Sequence, residues 1–412
     1  MNNTQIPRHC ELSHFPVTGN QLVVGGFTLE QLVEKVGSTP FYAYDRAVID
    51  RRIQLLRAQL PATLKLHYAV KANPMPAVVQ HIAQLVDGLD IASVGEMRLA
   101  LASETPAHSI TFTGPGKGLE ELSAAIEAGV TINLESEIQM QQVAQLAEAA
   151  GQRPRVMVRI NPDFELKSSG MLMGGRATPF GTDVEQVPDL LKKLVRLDME
   201  FVGFHIFSGS QNLRAEAIIE SQNAALDLAT RLAEQAPKPI QILNLGGGFG
   251  IPYFPGDKPL ELAPIADNLS TLTGVAAREL PGTKLALELG RYLVGEAGVY
   301  VSRVIDKKLS RGQTFLITDG GLHHHLAASG NFGQVVRKNF PVVIGNKMTV
   351  REKEIVNIVG RLCTPLDLLA DKMKLPTAGI GDFVVILQSG AYGLTASPNN
   401  FLSHPPATEI LL

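Results

Sequence analysis

Cysteine is scarce in this sequence, because only Cys10 and Cys363 occur among its 412 residues. A chain of this length with two cysteines has neither a disulfide framework nor a cysteine-based metal cluster. Either thiol remains available as a reactive group.

Long hydrophobic runs and an excess of one charge are also missing. The longest apolar runs, such as Phe383 to Leu387, are far shorter than the roughly 20 residues that cross a bilayer, and the polar start Met1 to Glu11 lacks a signal-peptide core. Charged residues make up 19% of the chain and the net charge is −3, which gives no footprint for nucleic acid or an anionic membrane. We therefore expect a soluble, cytoplasmic globular protein without nucleic-acid or membrane partners.

The chain is long enough for two domains. From about Phe41 to Glu288, short aliphatic or β-branched runs alternate with amphipathic stretches rich in Ala, Glu, Gln and Leu, which indicates repeated βα units. The predicted strands are Lys65 to Val70, Gly88 to Ile91, Ile110 to Thr113, Thr131 to Leu134, Arg155 to Ile160, Phe201 to Ile206, Ile240 to Leu245 and Lys284 to Glu288. Eight strands fit a closed α/β barrel, a (β/α)8 TIM barrel over residues 41–290. The carboxyl ends of its strands would share one face, where active sites are built.

After about Arg291 the pattern changes to alternating, valine-rich runs without long helical stretches. This predicts a β-rich second domain, a β-barrel or sandwich, over residues 291–412. The predicted strands are Val299 to Ile305, Thr314 to Asp319, Val342 to Ile344, Ile355 to Val359 and Phe383 to Gln388. Residues 1–40, with a strand-like run Gln21 to Gly25 and an amphipathic segment Thr28 to Val36, stand outside the barrel count.

Lys71 ends the first predicted barrel strand in the run His67-Tyr68-Ala69-Val70-Lys71, before a predicted helix start at Asn73-Pro74. A lysine buried at a strand end loses hydration, so its pKa falls and the nucleophilic amine becomes available for a Schiff base with a carbonyl group. The alternative is a surface lysine after an edge strand, since buried lysines are rare.

Gly246-Gly247-Gly248 follows the seventh predicted strand. Bare backbone amides there can approach a phosphate dianion, whereas the alternative is a tight turn that only needs positive φ. The run matches neither the spaced-glycine dinucleotide motif nor a P-loop, which disfavours NAD and nucleoside triphosphates.

Glu288-Leu289-Gly290-Arg291 places a carboxylate at the eighth strand end and a guanidinium three residues later. A carboxylate can keep a heterocyclic nitrogen protonated and an arginine suits phosphate or carboxylate, although a structural ion pair is the simpler interpretation.

His205, at another strand end near Ser208, could stack on a ring while Ser208 binds phosphate. A histidine satisfied by backbone groups in the core is equally compatible.

The second predicted domain contains three further candidate functional features. Cys363, followed by Thr364-Pro365, could act as a proton donor or be a small buried hydrophobe. Tyr392, flanked by Gly390 and Gly393, could reach a phosphate. His323-His324-His325 invites a metal interpretation, but adjacent residues of an extended chain point to alternating faces, so we predict no metal site.

In this order, the motifs resemble the fold-type III pyridoxal-phosphate decarboxylases, which include diaminopimelate, ornithine and arginine decarboxylases. The resemblance runs from about Phe41 to His404 and also includes Asp90-Ile-Ala-Ser93, Arg159-Ile-Asn161 and Asp319-Gly320. It implies a barrel that carries pyridoxal 5'-phosphate, a C-terminal β-domain completed by N-terminal residues, and a homodimer with shared active sites.

The resemblance also implies roles for individual residues. Lys71 would hold the cofactor as a Schiff base, Glu288 would pair with its ring nitrogen, His205 would stack on the ring, and Cys363 would reprotonate the substrate carbon. Asp90 and Arg159 would support the site. The phosphate would be held by Ser208, Gly246, Gly247, Gly248, Gly290, Arg291 and Tyr392. The substrate would meet Arg291, Asp319, Thr364 and Tyr392.

The sequence departs from the family pattern where the substrate's distal end is recognised. Diaminopimelate and ornithine decarboxylases have an acidic residue directly after the cysteine, whereas Thr364-Pro365 follows here. The stretch His323-His324-His325 replaces the pattern that leads to the Arg and Tyr that grip a distal carboxylate. Both features resemble the exosortase-associated decarboxylases and those acting on a glutamyl group bound to an acyl carrier protein. We therefore expect decarboxylation of an amino acid or a carrier-bound aminoacyl group.

Three alternatives stay open. The chain could be a diaminopimelate or other basic amino-acid decarboxylase. Alanine racemases share the barrel and the cofactor but commonly place arginine at the ring nitrogen, so Glu288 favours a decarboxylase over a racemase. A non-catalytic homologue that only binds the cofactor is disfavoured by the joint presence of Lys71, Glu288, Arg291, Cys363 and Tyr392.

Overall fold

The computed structural model describes residues 8–11, 14–165, 171–172 and 174–412. The chain forms two compact units. The first contains residues 52–250 and 260–290, and the second contains the chain up to Arg51 together with residues 251–259 and 291–412. Residues 1–7, 12 and 13 of the predicted N-terminal segment lie outside the described residues.

A closed parallel barrel forms the first unit. Its strands are Lys65–Ala69, Gly88–Ile91, Ile110–Phe112, Thr131–Leu134, Arg155–Asn161, Glu200–Ile206, Ile242–Asn244 and Lys284–Leu289. Each strand pairs with the next in the chain, and the eighth pairs with the first, for example Glu288 with His67. The predicted TIM barrel is therefore confirmed. A short strand Thr182–Asp183 extends the sheet beside the fifth strand, and Met171–Leu172 pairs with Gly209–Ser210.

Helices alternate with these strands. They are Arg46–Gln59, Pro76–Ala83, Val94–Ala102, Leu119–Ala128, Glu137–Ala150, Val187–Leu194, Ala215–Ala233 and Ala263–Glu279. Several begin at serine caps: Ser93 accepts a hydrogen bond from Glu96 N, and Ser136 accepts one from Gln139 N. Among the helices of the described residues, none is long and apolar enough to span a membrane.

The second unit consists mostly of strands. Val17–Thr18, Gln21–Val24 and Phe27–Thr28 form a small antiparallel sheet that leads into the helix Leu29–Val36. A larger sheet contains Phe41–Tyr44, Gly298–Ser310, Gln313–Thr318, Val342–Ile344, Lys353–Val359, Leu368–Pro376, Phe383–Ile386 and Thr408–Leu411. The short helix Arg291–Val294 precedes it. The prediction of a separate, mostly β unit is confirmed.

Three strands of the larger sheet were not predicted. Leu368–Pro376 has charged residues on its exposed positions and pairs with Lys353–Val359, so its strand character depends on that partner. Phe41–Tyr44 pairs with Gly298–Val301, and Thr408–Leu411 pairs with Phe41–Tyr44. Pairings between segments this far apart in the chain leave no local periodicity that a sequence pattern could reveal.

Single 3-10 turns lie at Val70–Ala72, Ala107–Ser109, Val184–Gln186, Gly295–Ala297, Leu394–Ala396 and Phe401–Ser403. The first of them carries Lys71 beyond the end of the first barrel strand. It replaces the helix start that we predicted at Asn73-Pro74. The following helix begins at Pro76, and Asn73 Oδ1 instead accepts a hydrogen bond from Met75 N at 3.1 Å.

Gly203 is required where the sixth and seventh barrel strands pair. A Cβ at this position would overlap the carbonyl oxygen of Ile242. We expect Gly203→Ala to push these strands apart and lower the thermal unfolding midpoint by several degrees, as a loss of about 2 kcal/mol implies. Gly274→Ala is the matched control, because Gly274 lies in a helix with nothing within 4 Å of an added methyl group. It should unfold at the same temperature or slightly higher. Equal midpoints for the two variants would contradict this assignment.

Candidate active site

Polar side chains form a ring at the carboxyl ends of the barrel strands. Its members are Lys71, Asp90, Thr113, Asn133, His205 and Glu288, which come from the first, second, third, fourth, sixth and eighth strands or the residues directly after them. Each contacts the next around the ring, and Glu288 returns to Lys71. Closure of the barrel therefore brings together residues that lie up to 217 positions apart.

Lys71 lies between two carboxylates. Its Nζ is 3.5 Å from Glu288 Oε1 and 3.6 Å from Asp90 Oδ2. The side chain is 42% exposed, so the expectation of a buried lysine is wrong. The 3-10 turn after the strand lifts the amine to the mouth of the barrel, where solvent reaches it.

Asp90 and Glu288 are both buried, and their pKa values are shifted in opposite directions. Burial raises the pKa of Asp90 well above its usual value, and the neighbouring Glu288 carboxylate raises it further. Burial would also raise the pKa of Glu288, but Lys71 and then His205 oppose it and lower that pKa to about 2. Asn244 Nδ2 adds a hydrogen bond to Glu288 Oε2 at 3.4 Å. Glu288 is thus the ionised member of the pair.

His205 is a neutral, buried imidazole. Burial lowers its pKa to about 4, although Glu288 opposes the shift. The Asn133 amide donates to His205 Nδ1 at 3.1 Å and to Thr113 Oγ1 at 2.7 Å, and Thr113 donates to Asp90 Oδ1 at 2.6 Å. Because His205 Nδ1 accepts a hydrogen bond, the proton of the neutral ring is on Nε2, which lies 3.4 Å from Glu288 Oε2. The alternative of a histidine satisfied by backbone groups is wrong, because its neighbours are side chains.

Thr113 and Asn133 were missed by the sequence predictions, as was Asn244. All three are polar residues at the ends of predicted barrel strands. That position was the available signal, since a side chain there faces the mouth of the barrel.

Arg159 belongs to a second buried cluster at the same end of the barrel. Its Nη1 donates to both oxygens of Glu135 at 3.1 Å, and its guanidinium lies over the Phe180 ring at 5.2 Å. Glu135 also accepts hydrogen bonds from the amides of Gly114 and Gly181. Nearby, burial lowers the pKa of Lys117 to about 8, although Glu135 opposes this shift. The arrangement holds the loops after the third and fifth strands around one carboxylate.

Close packing alone requires glycine at several predicted phosphate-binding positions. A Cβ at Gly246 would meet Phe207, one at Gly247 would overlap the carbonyl of Glu288, and one at Gly290 would meet Ala72. Gly246 and Gly248 also have positive φ. The tight-turn interpretation is therefore sufficient for these glycines, and their binding of phosphate stays a prediction. Ser208 is buried, and its Oγ accepts a hydrogen bond from Ser221 at 3.2 Å.

Arg291 and Tyr392 lie together in the second unit. The Arg291 guanidinium stands 4.5 Å from the centre of the Tyr392 ring, and its Nη1 donates to Tyr253 Oη at 3.2 Å. Burial would lower the pKa of Arg291, but Tyr253 and Tyr392 outweigh it and raise that pKa. Tyr392 has a φ of 52°, a left-handed conformation that fixes the direction of its side chain.

Cys363 and Thr364 lie in a turn between two strands of the second unit. Cys363 is exposed, which rules out the interpretation as a buried hydrophobe. Asp367, the carboxylate of this turn, is itself buried and accepts hydrogen bonds from Leu322 N at 2.6 Å and Leu362 N at 2.9 Å. Asp319 also has structural partners, because its carboxylate accepts from Thr39 Oγ1 and, at 2.8 Å, from Arg303 N.

The three consecutive histidines occupy a turn rather than an extended segment. All three are buried, and the amides of His324 and His325 donate to Gly321 O. His325 Nε2 contacts Ser389 Oγ at 2.9 Å, and His324 Nε2 contacts the Pro405 carbonyl at 2.9 Å. In the described part of the chain, no group of three or more histidine, cysteine or acidic residues is arranged to hold a metal ion.

The ring at the barrel mouth has the donor set of a pyridoxal-phosphate site. It offers an accessible amine, an ionised carboxylate and a flat, neutral imidazole within contact of one another. Asp90 Oδ2 and His205 Nε2 are buried. Their contacts with Lys71 Nζ at 3.6 Å and Glu288 Oε2 at 3.4 Å lack hydrogen-bond geometry, so both atoms retain capacity for a further polar partner. When bound, pyridoxal phosphate supplies an electron-withdrawing ring that stabilises negative charge on the substrate carbon.

Comparison with known proteins agrees with this chemistry. Residues 46–295 match the family model of the pyridoxal-dependent decarboxylases, over the pyridoxal-binding domain. This is more than half of the chain, and the chain therefore belongs to the pyridoxal-dependent decarboxylases. It is a carbon–carbon lyase with pyridoxal phosphate as its cofactor.

Relatives within this family differ in what their names describe. The chain is 38% identical over 379 residues to the L-glutamyl-(BtrI acyl-carrier protein) decarboxylase of Niallia circulans, which covers 90% of this chain and 88% of the relative. It is 30% identical to the diaminopimelate decarboxylase of Aquifex aeolicus, with 95% and 90% covered. The crystal structure of diaminopimelate decarboxylase from M. jannaschii superposes with a TM-score of 0.88 at 26% identity, covering 97% of this chain and 93% of that one.

The buried, neutral His205 makes the apo-protein sensitive to acid. The pKa of His205 is lower in the folded chain, about 4, than its ordinary value of 6.5, so the unfolded chain takes up a proton first as the pH falls. Stability should therefore be lost between pH 6.5 and 4, by roughly 3 kcal/mol for this group. The free energy of unfolding of the apo-protein, measured in urea, should fall less steeply with decreasing pH in His205→Gln than in the wild type. His108→Gln, at an exposed histidine, is the control. Parallel pH profiles for His205→Gln and the wild type would contradict the assignment.

Proposed function

We propose that this decarboxylase removes the α-carboxylate of an amino acid that is bound to an acyl carrier protein through its side-chain carboxyl group, such as a glutamyl thioester with a free α-carboxylate. The observation that carries the proposal is the environment of Thr364. The turn after Cys363 presents a neutral Thr364, and its one carboxylate, Asp367, is buried and bonded to two backbone amides. A free basic amino acid would bring a distal ammonium that has no carboxylate partner in this turn, whereas a carrier-bound group has no such charge.

The similarity to the L-glutamyl-(BtrI acyl-carrier protein) decarboxylase supports the same substrate class. The second candidate is a diaminopimelate decarboxylase, since relatives with this name cover most of the chain at 28–30% identity. The missing acidic residue after Cys363 disfavours it.

For the chain's own residues we propose the following roles. Lys71 Nζ would hold the cofactor covalently and would be displaced by the substrate amine. Glu288 would keep the ring nitrogen protonated, His205 would pack against the ring, and Asp90 and Arg159 would position them. The phosphate is held by Ser208, Gly246, Gly247, Gly248, Gly290, Arg291 and Tyr392.

At the substrate end, Cys363 Sγ supplies the proton that replaces the departing carboxylate. We propose that Arg291, Asp319, Thr364 and Tyr392 contact the substrate. A neutral His205 suits its role, because a second positive charge beside the ring would compete with the protonated nitrogen for Glu288.

We also propose how the chain is organised around this site. The cofactor belongs to the barrel of residues 41–290, and residues 1–40 complete the β-domain of residues 291–412. Hydrogen bonds from Leu22 N to Gly345 O and from Met348 N to Asn20 O support the second point. The pairing of Phe41–Tyr44 with Gly298–Val301 favours a boundary nearer Arg51. The working form is a cytoplasmic homodimer with shared active sites, which light scattering of the purified protein tests.

Two variants test the proposed roles of Lys71 and Cys363. Borohydride reduction of the loaded protein should attach the cofactor to the Lys71 peptide, as mass spectrometry would detect. Lys71→Ala should lose this mass, because no amine remains to bind it. Cys363→Ala is the matched comparison: it should retain the cofactor mass but turn over at least about 100-fold more slowly. Cofactor attached elsewhere in Lys71→Ala, or unchanged turnover in Cys363→Ala, would remove these roles.

The substrate class is tested by CO2 release from free amino acids of both chiralities and from aminoacyl carriers. We expect release from a glutamyl carrier and little from free meso-diaminopimelate, ornithine or arginine. Thr364→Glu should raise activity on a free basic amino acid at least about tenfold, because it supplies a carboxylate for the distal ammonium. Thr364→Gln, of similar size but neutral, should not. Normal turnover of a free basic amino acid by the wild type, with every carrier ignored, would refute the proposal.

A further inference from the structure

The barrel encloses a polar cavity beneath the ring of active-site residues. Its volume is about 250 Å³, and its lining comes entirely from the first unit: Lys65, His67, Asp87, His108, Ser109, Thr111, Thr131, Arg155, Met157, Ile242 and Asn244. In most TIM barrels, layers of bulky Val, Ile and Leu side chains fill this interior. Here nine of the eleven lining residues are polar types, and the interior of the barrel, which we call the lumen, is left partly open.

The two ends of the lumen differ in exposure. At the amino-terminal end of the strands, His108 is exposed and the Lys65 side chain is 44% exposed, so solvent reaches this rim. At the inner end, Asn244 donates to Glu288 Oε2 at 3.4 Å. His67 is the register partner of Glu288, and Thr111 is the register partner of Asp90. The lumen therefore runs from solvent to Asn244, which is hydrogen-bonded to Glu288, and to the strand neighbours of both buried carboxylates.

The lumen contains polar groups that require a partner. His67 is 93% buried, as its 7% exposure shows, yet its Nδ1 makes no hydrogen bond within the described residues, and the same holds for Arg155 Nε. Polar atoms in this position are normally satisfied by water. The volume far exceeds the roughly 10–15 Å³ that one water needs.

Charge in the lumen favours water over a bound anion. The Lys65 ammonium lies 3.0 Å from Asp87, and Arg155 lies 2.7 Å from Glu200. Arg57 also pairs with Asp87, at 2.8 Å. Lys65 and Arg57 share the Asp87 carboxylate and Arg155 has its own, so neither cation of the lining is left unpaired for an anion.

We propose that the lumen holds a chain of water molecules through which the Asp90 and Glu288 pair exchanges protons with solvent, with His67 as the protein group that joins the water to the pair. In each transfer, the water next to a carboxylate oxygen gives up a proton and takes another from the next water along the chain. The net change is one proton taken from solvent or returned to it, so charge and atoms balance. The route reaches the carboxylates from below and stays open while substrate covers the barrel mouth. Its value for catalysis rests on the proposed function, in which Glu288 holds a ring proton. The presence of water in the lumen does not depend on the proposed function.

The first test uses the apo-protein with nitrogen-15-labelled histidine. NMR saturation transfer measures how fast each ring N–H exchanges with water. We expect the His67 ring proton to exchange at least about tenfold faster than that of His325, a fully buried histidine bonded to Ser389 Oγ. Exchange of His67 as slow as that of His325 would overturn the proposal, whatever the enzyme's substrate. So would ordered electron density for an anion, instead of waters, in a high-resolution crystal structure of the lumen.

A pair of variants tests the route itself. Thr131 lines the lumen without belonging to the active-site ring, so Thr131→Leu should displace water and slow the exchange of the His67 proton at least about tenfold. Thr131→Val keeps the volume and should retain fast exchange. Unchanged exchange in a folded Thr131→Leu would contradict the route. If Thr131→Leu does not fold, the comparison of His67 with His325 in the wild type still decides the matter.

A third measurement connects the lumen to Glu288. After a pH jump, with the barrel mouth covered by saturating product amine, the cofactor absorbance of the loaded enzyme should relax more slowly in Thr131→Leu than in Thr131→Val, to the same end point. Equal relaxation rates would exclude the lumen as the proton route. Failure to bind pyridoxal phosphate would instead refute the assigned roles of Lys71 and Glu288 and leave the NMR result unaffected, so the two failures are distinguishable.

Discussion

One ammonium group placed between two buried carboxylates is the interaction on which the candidate active site depends. Asp90 and Glu288 are both removed from water, and without a positive charge neither would stay ionised. Lys71 lies within 3.6 Å of both and favours ionisation of Glu288, while Asp90 retains its proton more readily. The three residues meet only because the eighth strand pairs with the first and the first with the second. Barrel closure is therefore a condition of the chemistry as well as of the fold.

The neutral members of the ring, Thr113, Asn133 and His205, determine the direction of the hydrogen bonds around these charged groups. Asn133 donates to both His205 and Thr113, so one amide sets the direction of hydrogen bonds on both sides of the barrel. His205 stays uncharged, with its remaining ring proton directed toward Glu288. Beneath the ring, polar or small side chains replace the aliphatic layers that usually fill a TIM barrel. The barrel thus gives up part of its apolar packing where the active site requires polar neighbours.

Sequence patterns predicted the barrel well and the details of the site less well. All eight strands were recognisable, because each is a short apolar run bounded by helical segments, and a local run survives in any tertiary context. The exposure of Lys71 could not be recognised from the sequence, because it depends on a single 3-10 turn that begins at Val70. Leu368–Pro376 was not predicted as a strand because its charged residues face solvent, and its strand character depends on pairing with Lys353–Val359. The role of Asp367 was also invisible, because two backbone amides from separate segments decide it.

Residue types and their order along the chain by themselves determined the family, the cofactor and the barrel, since strand periodicity and short motifs are local properties. The tertiary structure alone decided which of these residues meet, how far each is buried and which carboxylate is ionised. These contacts, burials and ionisation states depend on distances between strands, which are set only when the barrel closes. A pKa depends on the nearby charges and on the amount of nearby water, and the adjacent residues in the sequence determine neither. For Glu288, the lysine that keeps it ionised is 217 positions away in the chain and 3.5 Å away in space.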